Sequence, residues 1–139
     1  MTWPSWLLLA DALMAGVILA VQLVVYPGFK YFSKEALGKW HPVYTRNITL
    51  LVAPLMIAQL IGGILWATGQ PGKYSMLYAI GIFALWAITF RFFVPLHRRI
   101  ENGNAHRDTL DVLVRLNWLR TVLWFLVLIV HLFGVYDPA

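Results

Sequence analysis

The sequence predicts an all-α integral membrane protein, an up-down-up-down four-helix bundle that forms a single domain over residues 1–139. The chain is 60% hydrophobic and only 12% charged, which is about half the charged fraction of an ordinary soluble domain. Its apolar residues also occur in long runs and not at the spacing of an amphipathic helix, which is typical of membrane-spanning segments.

Four apolar segments are each long enough to cross the roughly 30 Å of hydrocarbon in a bilayer, which takes about 20 helical residues. The predicted spans are residues 5–26, 43–68, 74–94 and 113–136, and residues 29–40 are predicted to lie in the membrane interface. The second and third spans are antiparallel neighbours because the turn between them is short.

Basic residues predict the orientation of these spans. Residues 30–47 and 91–120 contain ten of the eleven Lys and Arg residues against four acidic ones, a net charge of +6. The opposite side has Lys73 against Asp11 and Asp137. The positive-inside rule therefore predicts that both termini lie outside and both long connections lie in the cytoplasm, in a bacterial inner membrane. The same surplus predicts contact with anionic inner-leaflet lipid and no nucleic-acid partner.

The two halves of the chain also resemble each other. Tyr26-Pro27 ends the first span as Val94-Pro95 ends the third, and an asparagine near a basic residue begins the second and fourth spans. One hypothesis is therefore that the bundle consists of two repeated hairpins.

Polar residues inside the spans predict a binding pocket near the cytoplasmic boundary. Arg46 and Asn47 begin the second span, Arg91 lies near the end of the third, and Asn117 and Arg120 share a face of the fourth. Charges at membrane depth usually face the bundle interior or a cavity. Their positive excess predicts a ligand with an anionic or carbonyl group, although the arginines could instead extend to lipid phosphates.

Aromatic and histidine residues at the same depth complete the candidate site. Tyr26, Trp40 and Trp118 are candidates for stacking on ligand rings, and His41 and His97 are the candidate catalytic residues, as groups that exchange protons. Two imidazoles at one depth could also ligate haem iron or a divalent metal. Because the pair lacks a spacing such as His-x-x-x-His, no metal ligands are assigned and the cofactor is left open.

A second polar pair is predicted near the opposite boundary. Asp11 on the first span and His131 on the fourth lie at similar depth. If these helices touch, the pair forms either a proton site or a structural tie between helices.

Several short strings resemble small, mostly uncharacterised four-span bacterial membrane proteins, including the anthrone-oxygenase-like group. The strings are Tyr26-Pro27-x-Phe29, His41-x-x-Tyr44-x-Arg46, Val-Pro-Leu-His-Arg-Arg at 94–99 and Asn-Trp-Leu-Arg-Thr at 117–121. The resemblance implies a four-helix fold and oxidation of a flat aromatic or quinone-like substrate.

The leading functional hypothesis is that the protein binds an amphipathic aromatic or quinone-like ligand in a cytoplasmic-side polar pocket, with oxidation of that ligand as an extension. Whether the protein is an enzyme is left open. One alternative is a non-enzymatic accessory subunit of a membrane complex or a lipid-binding protein. Another is a small proton-coupled transporter that uses Asp11 and His131. Each is compatible with a homo-oligomer.

Overall fold

The structure is a computed structural model that describes residues 5–136, and it confirms the predicted all-α four-helix bundle. The helices are α1 (Ser5–Tyr31), α2 (Lys34–Gly69), α3 (Lys73–Glu101) and α4 (Arg107–Tyr136), each long and apolar enough to cross a membrane. Asp137, which contributes to the predicted charge balance, lies outside the described residues.

The helices form a four-membered ring in which α1 and α3 each pack against both α2 and α4. The end of the bundle that carries the α1–α2 and α3–α4 connections is called the basic end here. The opposite end, where α1 begins and α4 ends, is called the terminal end. The turn between α2 and α3 also lies at the terminal end.

All four helices extend beyond the predicted spans at the basic end, and α1 reaches Tyr31 instead of residue 26. The segment at 29–40 does not form a separate interfacial helix, because α2 already begins at Lys34, where Ser33 accepts a hydrogen bond from the Ala36 amide. That helix then continues through Pro42. Likewise, α3 continues past Pro95 and α4 begins at Arg107 and not at residue 113. Hydropathy detects only the apolar part of a helix, so polar extensions were missed.

Two π-helical turns interrupt α1 and α3 at equivalent places. Val21–Val25 precedes Tyr26-Pro27, and Thr89–Phe93 precedes Val94-Pro95. A proline inside a helix lacks an N–H donor and its ring crowds the preceding turn, so that turn widens. The matched turns favour the hypothesis of two repeated hairpins, which stays a prediction.

The bundle buries polar side chains and exposes apolar ones. Buried polar and charged side chains come from all four helices, and they include Asp11, His41 and Arg120. Large apolar side chains such as Leu50, which is 72% exposed, cover the outer faces. Soluble domains show the reverse arrangement, whereas membrane-spanning bundles place their polar residues in the interior.

Candidate functional site

A cavity of about 440 Å³ lies between α2 and α3 in the half of the bundle near the basic end. This volume is within the range of small-molecule pockets. Most of the wall is apolar, and Ile18, Met56 and Trp86 contribute to it. Thr49 and Phe90 also line the cavity and are exposed on the outer surface, so the cavity opens sideways between α2 and α3.

One end of this cavity is polar. Tyr26, His97 and Arg120 line it, from α1, α3 and α4 respectively. The Tyr26 side chain follows the π-helical turn of α1 and is 2% exposed. Its hydroxyl oxygen lies 3.0 Å from His97 Nε2. The cavity therefore combines an apolar body with a polar end that is built from three helices.

Four side chains extend from this polar end to the surface in what is called the imidazole chain here: Tyr26, His97, His41 and Glu101. His97 Nδ1 lies 2.9 Å from His41 Nε2. His41 Nδ1 has no hydrogen-bond partner, and it lies 3.5 Å from Glu101 Oε1. The Thr45 hydroxyl donates to that same carboxylate oxygen at 3.0 Å. His41 is fully buried, whereas 35% of the Glu101 side chain is exposed.

The protonation pattern of the imidazole chain follows from its ends. When the His41 proton is on Nδ1, which faces Glu101 Oε1 at 3.5 Å, His41 Nε2 is an acceptor. His97 must then donate from Nδ1 and accept at Nε2, which makes the Tyr26 hydroxyl a donor. In this tautomer pattern, every proton of the imidazole chain is directed from the cavity toward Glu101.

Arg120 places a positive charge beside the cavity. Its side chain is 6% exposed, and its guanidinium carbon lies 4.7 Å from the centre of the Phe93 ring. The guanidinium interacts with Tyr26, but its Nε has no hydrogen-bond partner. In the part of the chain that the structure describes, Arg120 forms no ion pair. Its charge is therefore available to a ligand.

Asn117, another predicted ligand-binding residue, is buried but belongs to a separate layer of polar contacts. Its side-chain amide donates to Gln22 Oε1 at 2.8 Å, and Gln22 donates to the Val114 carbonyl at 3.4 Å. Asn117 does not appear in the cavity wall. It links α4 to α1 behind the polar end.

The other predicted binding residues lie on the outer surface. Arg46, Asn47, Arg91, Trp40 and Trp118 are all exposed, and none of them lines the cavity. These residues lie at the expected depth but on the outward face of their helices. Successive residues on a helix point about 100° apart, so residues at nearly the same depth can face either the interior or the outside. The exposed positions of Arg46 and Arg91 agree with the alternative that arginines extend outward, and their role as ligand-binding residues stays a prediction.

Sequence reasoning assigned no role in the pocket to Tyr44 or Glu101. Tyr44 lies three residues after His41, and Glu101 lies four residues after His97. These spacings place each pair on one helix face. Tyr44 packs with its ring centre 6.4 Å from that of Tyr26. These two spacings are the sequence signal that could have placed Tyr44 beside His41 and Glu101 beside His97.

A metal or haem does not fit the two histidines as they are arranged. The His41 and His97 nitrogens that face each other are 2.9 Å apart, at hydrogen-bonding distance, so these two nitrogens contact each other and are not directed at a common metal ion. His97 also uses its second nitrogen to contact Tyr26. Within residues 5–136, no group of three or more His, Asp or Glu side chains is arranged to hold a metal ion.

A second polar group, called the terminal cluster here, lies near the terminal end and takes one residue from each helix. Asp11 Oδ2 lies 2.5 Å from His131 Nδ1. Asp11 Oδ1 accepts from the Tyr78 hydroxyl at 2.8 Å and from Gln59 Nε2 at 2.7 Å. The Trp66 ring covers His131 with the ring centres 5.1 Å apart. Asp11 and His131 do meet, as their depths suggested, and their role stays a prediction.

Fold and site together indicate a small multi-pass membrane protein with an internal, laterally open cavity that is mostly apolar and has one polar end. Comparison with protein-family models, with curated proteins and with solved structures finds no match to this chain. The resemblance to the anthrone-oxygenase-like group therefore stays a prediction, and the functional argument below depends on the geometry.

Proposed function

We propose that the protein binds an amphipathic aromatic or quinone-like molecule in the cavity between α2 and α3. In this proposal the helices span a bacterial inner membrane with the basic end in the cytoplasm. The exposed basic side chains at that end contact anionic lipid. The polar head of the ligand lies at Tyr26 and Arg120, and its flat apolar body lies against Trp86 and Phe93.

The observation that carries this proposal is the buried Arg120, which has no counter-ion among residues 5–136, at the polar end of an otherwise apolar cavity. A buried cation is costly unless a partner compensates its charge. A ligand with a carbonyl or anionic group supplies that partner and forms a charge-assisted hydrogen bond. The apolar remainder of the cavity then selects for a ring system over a small inorganic ion.

The lateral opening indicates how such a ligand enters. Thr49 and Phe90 are exposed where the cavity meets the outer surface between α2 and α3. That surface is otherwise apolar and, in this proposal, faces lipid. A hydrophobic ligand dissolved in the bilayer therefore reaches the cavity directly, without crossing water.

The imidazole chain adds proton exchange to binding. His97 lines the cavity and contacts His41, so both predicted catalytic histidines lie in one hydrogen-bonded path. Oxidation of a hydroquinone-type ligand to a quinone releases two protons and two electrons. This path accepts one of the protons, and a separate oxidant such as dioxygen or a second quinone takes the two electrons. An oxidase role is thus the enzymatic form of the same proposal.

The test is a binding titration with a short-chain benzoquinone, on protein in lipid nanodiscs, followed by quenching of tryptophan fluorescence. We expect saturable quenching, and we expect Arg120→Gln to weaken binding about 10- to 100-fold, because a hydrogen bond to a charged group contributes about 1.5–3 kcal/mol. The matched controls are Arg46→Gln and Arg91→Gln, which remove exposed arginines at similar depth and should change the affinity less than twofold.

Two results would contradict the proposal. Quenching that never saturates would show simple partitioning of the quinone into lipid. An equal loss of affinity in Arg46→Gln and Arg120→Gln would place binding on the outer surface and not in the cavity.

The terminal cluster favours a second candidate, a small proton-coupled transporter that works as a dimer. Asp11 is 2% exposed and contacts a histidine, an arrangement found in intramembrane proton relays. Proton-driven uptake into liposomes that Asp11→Asn abolishes would support this candidate. Unchanged uptake in Asp11→Asn would exclude a proton site at Asp11.

A further inference from the structure

We propose that the ligand carries an acidic aromatic hydroxyl, as in a phenol or hydroquinone, and that the imidazole chain conducts its proton from the cavity to Glu101. This inference rests on the proposed binding function and specifies its ligand class. It also gives a role to Glu101, which no sequence motif singled out.

The first argument is the geometry of the imidazole chain, which has one end at the cavity and the other at the surface. Tyr26 lines the cavity, and contacts of 3.0 and 2.9 Å link it through His97 to His41. His41 is fully buried and its outer nitrogen faces the Glu101 carboxylate at 3.5 Å. Because 35% of the Glu101 side chain is exposed, a proton that reaches it can leave to solvent.

Proton transfer along this path balances without any other reactant. The ligand hydroxyl gives its proton to the Tyr26 oxygen as the Tyr26 proton passes to His97 Nε2. The His97 Nδ1 proton passes to His41 Nε2, and the His41 Nδ1 proton passes to Glu101. Both histidines exchange one neutral tautomer for the other. The net change is one proton lost by the ligand and one gained by the carboxylate.

Arg120 explains why the deprotonated ligand is stable in a mostly apolar cavity. Its guanidinium lies beside Tyr26, at the point where the ligand oxygen becomes negative. An opposite charge within about 4–6 Å favours the ionised form of an acid by about 10- to 1000-fold. The cavity thus selects an acidic hydroxyl over an uncharged ring.

Charged and titratable groups from all four helices form or line the imidazole chain and its polar end. A variant is informative when it changes only one of these groups. They are Tyr26 from α1, His41 and Tyr44 from α2, His97, Arg98 and Glu101 from α3, and Arg120 from α4. Of these, Glu101 is the one carboxylate. Glu101→Gln keeps a hydrogen-bond acceptor at that position but removes the proton acceptor.

The imidazole chain and Arg120 should affect different properties of the bound ligand: the rate of proton exchange and the ionised fraction, respectively. A proton path changes how fast the bound ligand gains or loses its proton, but it does not change the equilibrium between the two forms. A nearby charge changes the equilibrium. Glu101→Gln should therefore slow proton exchange of a bound phenol, whereas Arg120→Gln should lower its ionised fraction.

The experiment uses 4-nitrophenol as probe, because its phenol and phenolate absorb at different wavelengths. Protein in nanodiscs is saturated with the probe, and its phenolate band is followed after a laser-induced pH jump from a caged proton. We expect a phenolate-to-phenol ratio about tenfold or more above that of the free probe at the same pH. We expect Glu101→Gln to slow relaxation of the bound band about tenfold or more.

Two further variants complete the experiment. Glu35→Gln is the matched control, because Glu35 is an exposed carboxylate at the same end of the bundle that pairs with Lys39 and lies outside the chain; its relaxation should equal that of the wild type. Thr45→Val removes the hydroxyl that holds the Glu101 oxygen and should slow relaxation by a smaller factor. Unchanged probe affinity shows that each variant is folded.

The outcomes separate this inference from the proposed function. Absence of saturable probe binding, together with absence of benzoquinone binding, overturns both. Probe binding with equal relaxation in the wild type and Glu101→Gln overturns the proton path alone. Benzoquinone binding without nitrophenol binding overturns the acidic-hydroxyl ligand class alone.

Discussion

The two polar groups inside the bundle differ in how completely their charges are compensated. In the terminal cluster the Asp11 carboxylate has three partners, and its four side chains are at most 2% exposed. At the basic end Arg120 has no ion-pair partner among the described residues, a cavity lies beside it, and the imidazole chain reaches the surface. One group is closed and the other is open.

An apolar layer separates the two groups. Met14, Ile18, Leu85 and Trp124 are buried between them and belong to one hydrophobic cluster. Along α1, the eleven residues from Asp11 to Gln22 rise about 16 Å. Within residues 5–136, the hydrogen bonds of the terminal cluster and those of the imidazole chain have no residue in common.

From this difference we expect a structural role for the terminal cluster and a binding role for Arg120. Removing one partner of a buried, hydrogen-bonded ion pair is strongly destabilising, because the other charge is left without compensation. A buried charge left without a counter-ion is kept at a cost in stability, which is typical of binding and active sites. Removal of Asp11 and removal of Arg120 should therefore change stability in opposite directions.

The largest expected effect is that of Asp11→Ala. This variant leaves His131, Tyr78 and Gln59 without their shared acceptor, so we expect a loss of about 3–5 kcal/mol in the free energy of unfolding. The measurement is equilibrium unfolding in mixed detergent micelles. Quinone affinity at the basic end should be unchanged in the folded fraction.

The control for this variant is Asp108→Ala, which removes an exposed carboxylate at the start of α4 and should change stability by less than about 0.5 kcal/mol. If Asp11→Ala lost less than about 1 kcal/mol, the terminal cluster would not be a structural tie. The transporter candidate would then gain weight.

A smaller effect is expected for Gly134→Ala at the terminal end. A Cβ at this position would lie 2.5 Å from a Trp66 ring carbon and 3.0 Å from the Tyr74 Cβ. Overpacking of this kind costs about 1–3 kcal/mol, measured by the same unfolding assay. Because Trp66 covers His131, the terminal cluster should shift while the cavity does not.

Gly16→Ala is the matched control, since a Cβ there has no atom within 4 Å. Alanine at that exposed helical position should be neutral or stabilise by up to about 1 kcal/mol. Equal effects of the two alanine variants would contradict the close packing of α4 against Trp66.

The sequence was sufficient to predict the helices and the depth of most polar residues. Long apolar runs bounded by proline and glycine gave four helices, and counting residues from each boundary placed His41, His97 and Arg120 at one level. The same counting placed Asp11 opposite His131, which the structure confirms as a contact. Depth along a helix follows directly from the sequence because the rise per residue is constant.

The inward face of each helix was harder to predict. In a soluble bundle the apolar stripe marks the core, but here the lipid-facing and interior surfaces are both rich in apolar residues. Arg46, Arg91 and Arg120 therefore looked equivalent, although only Arg120 is buried. The π-helical turns of α1 and α3 also change the helix phase. This rotation of the helix face after each π-helical turn determines which residues contact Tyr26 and His97.

Arg120→Met has a smaller expected effect than Asp11→Ala and the opposite sign, so it gives the sharpest contrast between the two polar groups. Methionine keeps most of the side-chain volume and the packing against Phe93, but it removes a buried charge that has no counter-ion among the described residues. We expect the free energy of unfolding to rise by about 1–2 kcal/mol while quinone binding is lost. Equilibrium unfolding and fluorescence titration of the same nanodisc preparation report both quantities. A loss of stability together with retained binding would reverse the assignment, because Arg120 would then tie the helices together as Asp11 is expected to do.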